Sequence, residues 1–326
     1  MNIGKTALKW GVMLAPMAGY TDRAMRLVCR EMGAEYTVTE MVSATAVAYG
    51  DKKTFSLARI LPDEGPVALQ IFGSDPSVMA EAARVLSEPG EGVAPVAIDI
   101  NMGCPVKKIF SNGEGSALMR SPEHIEKIVS AVRLATPLPV TVKLRAGIDE
   151  KSINAVDCAL AAESGGASAV CLHGRTRVQM YGGSADRKII KKVKKSLHIP
   201  LFANGDIVDA ESAASMLKDT GADGIAVGRG AVGNPFIFSE IIAHLEGKEY
   251  REPSFEEKIA AAEHQLTVAC IDKGEAVAIP EARKQIALYF RGFRGAAGAR
   301  AEINRASTLS EVRTILAELL RDQGET

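Results

Sequence analysis

The sequence has no apolar run that approaches the roughly 20 residues of a membrane-spanning helix. Residues 1–11 also lack the apolar core and the small-residue cleavage site of a secretion signal. The five cysteines are an odd number, are widely spaced and form no Cys-x-x-Cys pair, which argues against a disulfide framework or a metal site. These absences predict a cytoplasmic protein that binds neither a membrane nor a metal ion.

An excess of charge of one sign is missing as well. The chain has 39 Lys and Arg residues against 40 Asp and Glu residues, so it has no overall attraction for nucleic acid. Two local groups of cations stand out. The first contains no acid and comprises Arg187, Lys188, Lys191, Lys192, Lys194 and Lys195. The second spans one acid, Glu302, and comprises Arg283, Lys284, Arg291, Arg294, Arg300 and Arg305. A charge run is more often a solvated helix face than a phosphate contact, so both interpretations stay open here.

The early Gly-x-Gly-x-x-Gly turn of a dinucleotide-binding fold is also absent. Instead, short β-rich apolar runs alternate with segments of helical period from residue 12 to about residue 247. The runs are 12–17, 36–42, 67–72, 96–100, 140–144, 169–172, 201–203 and 224–227. Alternating strands and helices give a parallel sheet, and eight such units fit a closed barrel. The sequence therefore predicts an α/β fold of the (β/α)8 TIM-barrel type.

The alternation stops after residues 247–253. Helical patterns then cover 255–273, 280–290 and 307–321, with joins at Gly274 and over 292–298. We therefore expect two units, a barrel over residues 1–250 and a small helical domain over residues 251–326.

Polar residues follow most of the predicted strands, and in a barrel such positions converge on one mouth. They are Gln70, Asn101, Cys104, Lys143, Arg145, His173, Arg175 and the turns 204–206 (Asn-Gly-Asp) and 228–230 (Gly-Arg-Gly). Each of them could instead be an ordinary core or ion-paired residue. Together they would leave several buried polar groups without partners unless a ligand met them. The two glycine turns stand where barrel enzymes commonly bind phosphate, so a phosphorylated cofactor is expected.

Several motifs in a fixed order resemble the FMN-dependent tRNA-dihydrouridine synthases, most closely their bacterial B-type branch. Two are 99–105 (Asp-Ile-Asn-Met-Gly-Cys-Pro) and 173–177 (His-Gly-Arg-Thr-Arg), whose Asn-Met-Gly-Cys-Pro and His-Gly-Arg-Thr pieces are the most specific. The others are 15–22 (Ala-Pro-Met-Ala-Gly-Tyr-Thr-Asp), 70–73 (Gln-Ile-Phe-Gly), 143–145 (Lys-Leu-Arg), 282–284 (Ala-Arg-Lys) and the two glycine turns.

The resemblance implies that the barrel binds FMN through three sets of residues. The flavin ring would be bordered by Pro16, Met17 and Ala18. Its pyrimidine edge would meet Gln70 and Lys143, with His173 beside it. The ribityl chain and phosphate would be held by Asn204, Gly205, Asp206, Gly228 and Arg229.

The resemblance also implies a reaction on tRNA. NADPH would reduce the FMN, a hydride would pass from flavin N5 to C6 of a uridine in the D-loop, and Cys104 would donate a proton to C5. A thiol with an ordinary pKa of about 8.5 is mostly protonated near neutrality and can act as such an acid. Substrate contacts would come from Asn101, Arg145, Tyr181, Arg283 and Lys284. Both basic groups would then bind tRNA phosphates, and no obligate protein partner is indicated.

Two positions depart from the family pattern. Gln285 follows Lys284 where a histidine is usual, and Arg187 stands where a tryptophan is common. Two other functions remain open. One is an FMN-dependent barrel oxidoreductase that acts on a small pyrimidine or enone. The other is an RNA-binding barrel without catalysis.

Overall fold

Eight parallel strands form a closed barrel in the computed structural model, which describes residues 1–324. The strands are β1 (Val12–Leu14), β2 (Tyr36–Val38), β3 (Val67–Phe72), β4 (Ala97–Asn101), β5 (Val140–Arg145), β6 (Ala169–His173), β7 (Leu201–Asn204) and β8 (Gly224–Val227). Each pairs with the next along the chain, and β8 pairs with β1 through Ala226 and Met13. The predicted (β/α)8 barrel is confirmed, with strand bounds within a few residues of those expected.

The interior of the barrel changes from apolar to polar along the strands. Residues of a strand alternate between its two faces. On β4, Ile98 and Ile100 pack under the helices, whereas Ala97 joins an inner apolar cluster with Tyr36 and Phe202. An N-terminal hairpin (strands Asn2–Ile3 and Thr6–Ala7) adds buried side chains to that cluster and so closes the amino-terminal end. The polar inward positions are left at the carboxyl end.

Helices surround the barrel. They are α1 (Arg23–Glu31), α2 (Ala44–Ala48), α3 (Lys52–Ala58), α4 (Pro76–Leu86), α5 (Lys107–Ser111), α6 (Pro122–Ala135), α7 (Ala155–Ser164), α8 (Arg187–Ser196), α9 (Ala210–Thr220) and α10 (Ile237–Leu245). A short strand, Val42–Ser43, also pairs with the end of β3. Helices α2, α3 and α5 have only 5–7 residues. They are too short to produce a helical period, which is why the sequence did not reveal them.

The C-terminal region is helical, as expected, but its bounds differ from the prediction. It contains α11 (Phe255–Lys273), α12 (Glu275–Ile286), α13 (Ala296–Ile303) and α14 (Leu309–Gly324). The predicted helix at 280–290 instead begins directly after Gly274, because residues 275–279 favour a helix and Pro280 removes only one backbone donor. The predicted join at 292–298 overlaps α13, whose Ala296, Ala299 and Ile303 are buried on one face. Residues 325–326 of the predicted helical domain lie outside the described residues.

The C-terminal helices pack against the barrel through α1. Val268 and Ala269 of α11 contact Leu27 in a small apolar cluster, and Lys273 Nζ forms an ion pair of 2.6 Å with Asp22. This contact places α12 beside the carboxyl end of the barrel. No helix formed by residues 1–324 is both long enough and apolar enough to cross a membrane.

Candidate active site

A cavity of 840 Å³ opens at the carboxyl ends of the strands. This is a size typical of ligand-binding pockets. The cavity lining contains every predicted site residue except Arg175, Arg283 and Lys284: Pro16, Met17, Ala18, Gln70, Asn101, Cys104, Lys143, Arg145, His173, Tyr181, Asn204, Gly205, Asp206, Gly228, Arg229 and Gly230. Residues that lie in or just after seven different strands therefore meet in one place.

A chain of amide hydrogen bonds forms the floor of the cavity. Gln70 Nε2 donates to Asp99 Oδ2 at 2.6 Å, and Gln70 Oε1 accepts from Asn101 Nδ2 at 2.9 Å. Asn101 Oδ1 in turn accepts from the backbone N–H groups of Cys104 at 2.9 Å and Gly103 at 3.2 Å. Asn101 is thus linked directly to the turn that carries the thiol.

Cys104 is half-buried on a turn fixed from both sides. Its carbonyl oxygen accepts from the Ser116 hydroxyl at 2.8 Å, and a Cβ atom at Gly115 would lie 2.9 Å from the Cys104 Cβ. Burial raises the pKa of the Cys104 thiol, although the Val106 N–H and the charge of Arg145 act in the opposite direction. The thiol is therefore protonated at neutral pH and can serve as an acid.

Two inward polar residues link the ends of β5 and β7. Lys143 Nζ donates to Asn204 Oδ1 at 3.0 Å, and Asn204 Nδ2 donates to the Ala226 carbonyl at 2.7 Å. These bonds fix a cation near the centre of the cavity.

His173 lies beside this pair as a neutral imidazole. Burial, followed by the charges of Lys143, Arg145, Arg175 and Arg229, lowers the pKa of His173 to about 2. The Arg175 guanidinium lies 3.3 Å from His173 Nε2. Because a guanidinium can only donate, Nε2 is the acceptor and the proton is assigned to Nδ1.

Arg175 also organises the first glycine turn. It is 2% exposed, pairs with Asp206 at 2.7 Å and donates to the Gly182 carbonyl at 3.0 Å. Asp206 has a positive φ of 54° and Gly205 one of 124°. Burial acts to raise the pKa of Asp206, but the Ala185 N–H and the Arg175 charge outweigh it and the pKa is lowered. This turn is held in an unusual backbone shape beside the second turn, where Arg229 lies 3.8 Å from Asp206.

Arg145 supports the walls of the cavity. It donates to the carbonyl oxygens of Gly103, Thr176 and Met180 at 2.8–2.9 Å, and its guanidinium lies 5.7 Å from the centre of the Tyr181 ring. It therefore ties the Cys104 turn to the loop that carries Tyr181.

The C-terminal helices contribute to the rim of the site. Lys284 Nζ lies 4.2 Å from the centre of the Tyr20 ring, and Leu288 lines the cavity itself. Arg283 donates to the Ala306 carbonyl at 2.7 Å and so braces the C-terminal helices. Gln285, the departure from the family pattern, is buried and accepts from Gln265 at 2.9 Å.

The two predicted basic groups lie in different positions. Helix α8 begins at the mouth, where Asp186 N–H donates to the Gly174 carbonyl, but runs toward the opposite end of the barrel. Two of its cations are engaged, Arg187 with Asp219 at 2.6 Å and Lys194 with Asp223 at 2.5 Å. In the C-terminal group the exposed arginines form no ion pair with any of residues 1–324: Arg291, Arg294, Arg300 and Arg305.

Sequence reasoning missed a third group of cations, which lies on and around the helix that follows Cys104. The Phe110 ring of α5 lies between two guanidiniums, that of Arg177 at 3.9 Å and that of Arg120 at 4.4 Å. Lys107 and Lys108 are exposed on the same helix. The short sequence 107–110 (Lys-Lys-Ile-Phe) is a signal that could have pointed to it.

A comparison with known families settles the relationship of the chain. The family model described as "Dihydrouridine synthase (Dus)" matches residues 13–323. The chain belongs to the dihydrouridine synthase family. The resemblance that the motifs indicated is therefore confirmed, and the match covers both the barrel and the helical region of the chain.

Curated relatives match over nearly the full chain. The chain is 38% identical over 328 residues to a probable tRNA-dihydrouridine synthase of Rickettsia conorii. The alignment covers 100% of this chain and 98% of that protein. The chain is 39% identical over 309 residues to tRNA-dihydrouridine synthase B of Pseudomonas aeruginosa. The alignment covers 94% of this chain and 91% of that protein.

Solved structures share the fold at low identity. A histamine dehydrogenase from Rhizobium sp. 4-9 superposes with a TM-score of 0.57 at 13% identity, which covers 82% of this chain and 50% of that chain. Morphinone reductase in complex with tetrahydroNAD superposes with a TM-score of 0.50 at 12% identity, which covers 79% of this chain and 92% of that chain. At such identity the likeness concerns the barrel architecture alone.

Proposed function

We propose that this protein reduces the C5=C6 bond of uridines in the D-loop of tRNA to give 5,6-dihydrouridine, with FMN as cofactor and NADPH as reductant. The observation that carries the proposal is the position of the Cys104 thiol. The thiol is protonated and opens into the same cavity as Lys143 and the two glycine turns, and Asn101 holds its turn by accepting from the Cys104 backbone N–H.

The cavity fits FMN in size and chemistry. Its volume of 840 Å³ leaves room for a flavin and a nucleobase together. The wall at 15–18 is apolar and suits a flat ring, and Gly228 leaves space where a Cβ atom would lie 3.6 Å from Met17 Sδ. The backbone N–H groups of Arg229 and Gly230 have no backbone acceptor in the described part of the chain, and the Arg229 side chain adds a cation. These groups suit a phosphate.

Each residue of the cavity has a defined task in this proposal. When bound, reduced FMN supplies the hydride that adds to C6 of the uracil. Lys143 would hold the pyrimidine edge of FMN with its cation, and Gln70 would bind beside it. Neutral His173 offers its Nδ1–H as a donor without adding charge.

Hydride addition at C6 leaves negative charge on the uracil between C5 and the C4 carbonyl, and a proton must then reach C5. Cys104 Sγ–H donates that proton, which leaves a thiolate. The Val106 N–H and the Arg145 charge, which both favour the thiolate, stabilise it until solvent returns the proton.

The base must leave the folded tRNA to reach Cys104, at a cost of a few kcal/mol. Contacts to the phosphates on either side of it can offset that cost. We assign these contacts to the unpaired arginines of the helical region, residues 251–324, and to Lys284 at the rim. We assign the phosphates nearest the extruded uridine to the cations around Phe110. In this scheme residues 1–250 form the FMN-binding catalytic domain and Tyr181 contacts the nucleotide.

The direct test is reduction of tRNA by the purified protein. FMN-loaded protein is mixed with an unmodified tRNA transcript and NADPH, and dihydrouridine is mapped by mass spectrometry. We expect product in the D-loop and none with free uridine. Reduction of free uridine or of a small enone, with tRNA left unchanged, would support the alternative barrel oxidoreductase instead.

A further inference from the structure

One carboxyl group inside the barrel has no part in the chemistry described so far. Asp99 on β4 is 4% exposed and lies below the residues that line the cavity. Its oxygens accept hydrogen bonds from Gln70 Nε2 at 2.6 Å and from Thr141 Oγ1 at 2.5 Å, and neither partner is a cation. A carboxyl group that is buried without an ion pair is costly, so an apolar residue would be the simpler filling for this position.

Asp99 lies at one end of the chain of hydrogen bonds that runs through the Gln70 and Asn101 side-chain amides to the Cys104 N–H, and this position suggests a function for its carboxyl group. An amide side chain has a donor at one end and an acceptor at the other. Asp99 binds the Nε2 end of Gln70, which leaves Gln70 Oε1 to accept from Asn101 Nδ2 at 2.9 Å. Asn101 Oδ1 is then left to accept from the Cys104 N–H at 2.9 Å. Each bond fixes the orientation of the next.

We propose that Asp99 is a positioning residue that sets the direction of the Gln70–Asn101 amide chain and thereby holds the Cys104 turn in place for proton transfer. The inference rests on the proposed function for the role of the thiol. Asp99 acts through its neighbours and does not touch the substrate.

Replacement of Asp99 by asparagine tests this directly. An asparagine offers a donor as well as an acceptor, so Gln70 can bind it in either orientation. In the reversed orientation Gln70 Nε2 faces Asn101 Nδ2, donor against donor, so either the Gln70–Asn101 bond is lost or Asn101 turns over and loses its bonds to the Cys104 and Gly103 N–H groups. The matched control is Thr141→Val, which removes the other partner of Asp99 but leaves the carboxyl group and the direction of the chain unchanged.

We expect kcat for uridine reduction by FMN-loaded Asp99→Asn to fall at least about tenfold, since small misplacements of a reacting group have effects of this size. KM for tRNA, which depends mainly on the phosphate contacts, should match wild type in Asp99→Asn. In Thr141→Val, kcat, KM for tRNA and the rate of FMN reduction by NADPH should all match wild type. A wild-type kcat in Asp99→Asn would overturn the proposal, and so would an equal loss in Thr141→Val, which indicates a merely structural role.

A measurement on the wild-type holoenzyme covers the case in which Asp99→Asn fails to fold. Hydrogen exchange of the Cys104 backbone N–H should be strongly slowed by its bond to Asn101. Exchange at the rate of an unstructured loop would overturn the proposal. If wild-type protein forms no dihydrouridine, the proposed function fails, whereas the exchange result still decides whether the amide chain holds the turn.

Discussion

Lys143 Nζ donates a hydrogen bond to Asn204 Oδ1, 3.0 Å away, and so joins the ends of β5 and β7 across the intervening strand. Burial lowers the pKa of Lys143. The charged form of Lys143 is therefore disfavoured by burial in the ligand-free protein, and it becomes favourable when an electron-rich ligand is bound against it.

The first prediction concerns this cation. Lys143→Met removes the charge and keeps most of the side-chain volume, so we expect the variant to lose bound FMN and its yellow colour. The Tm of the ligand-free variant should equal or exceed that of wild type, because the removed charge opposes folding. Visible absorbance and calorimetry measure the two effects. Lys191→Met, at an exposed position on α8, is the control and should remain yellow. A yellow Lys143→Met protein would contradict the role given to Lys143.

The second prediction concerns the stability in acid. The pKa of His173 is lowered to about 2 in the folded protein, chiefly by burial, but is about 6.5 in an unfolded chain. Below about pH 6.5 the unfolded state therefore binds one more proton, and stability is lost as the pH falls toward the folded pKa.

Replacement of this histidine should remove that loss. From about pH 7.5 to about pH 5, we expect the free energy of unfolding of ligand-free His173→Asn to fall by about 2 kcal/mol less than that of wild type. Urea unfolding at both pH values measures this difference. Equal losses in the two proteins would show that His173 is not buried in its neutral form.

The third prediction separates the two basic groups. The double variant Arg291→Glu, Arg294→Glu should bind tRNA more weakly than wild type. In a plot of the logarithm of the binding constant against the logarithm of the salt concentration, the slope should become shallower by about one unit for each phosphate that the variant no longer binds. Lys192→Glu combined with Lys195→Glu makes the same charge change on the part of α8 that runs away from the mouth. Binding isotherms at several salt concentrations should show little change in this second variant. Equal weakening in both would mean that tRNA affinity follows total charge rather than position.

Much of the site could be predicted because its polar residues lie at or near the ends of strands. Gln70, Lys143 and Asn204 each stand at or near the end of an apolar run, and the closure of the barrel alone brings them together. The motif order then suggested their roles. No tertiary detail was needed for this part.

The partners of these residues could not be predicted from the sequence. In the sequence, Asp99 is simply one polar residue within an apolar strand. Its pairing with Gln70 follows from the register between β3 and β4, which the sequence does not show. Arg175 gains its partner Asp206 from a different strand end. Leu288 reaches the cavity only because α11 packs on α1. Such contacts depend on how whole elements dock, which no local pattern specifies.

The central claim is that Cys104 gives the proton to C5 of the bound uridine. The most direct measurement is a single turnover in which FMN-loaded Cys104→Ala, reduced by NADPH in advance, is mixed with unmodified tRNA. Cys270→Ala serves as the matched control, since Cys270 is partly exposed and lies outside the cavity lining. We predict that Cys104→Ala binds FMN and tRNA as wild type does but forms dihydrouridine at least about 100-fold more slowly. Dihydrouridine formation at the wild-type rate in Cys104→Ala would contradict the account.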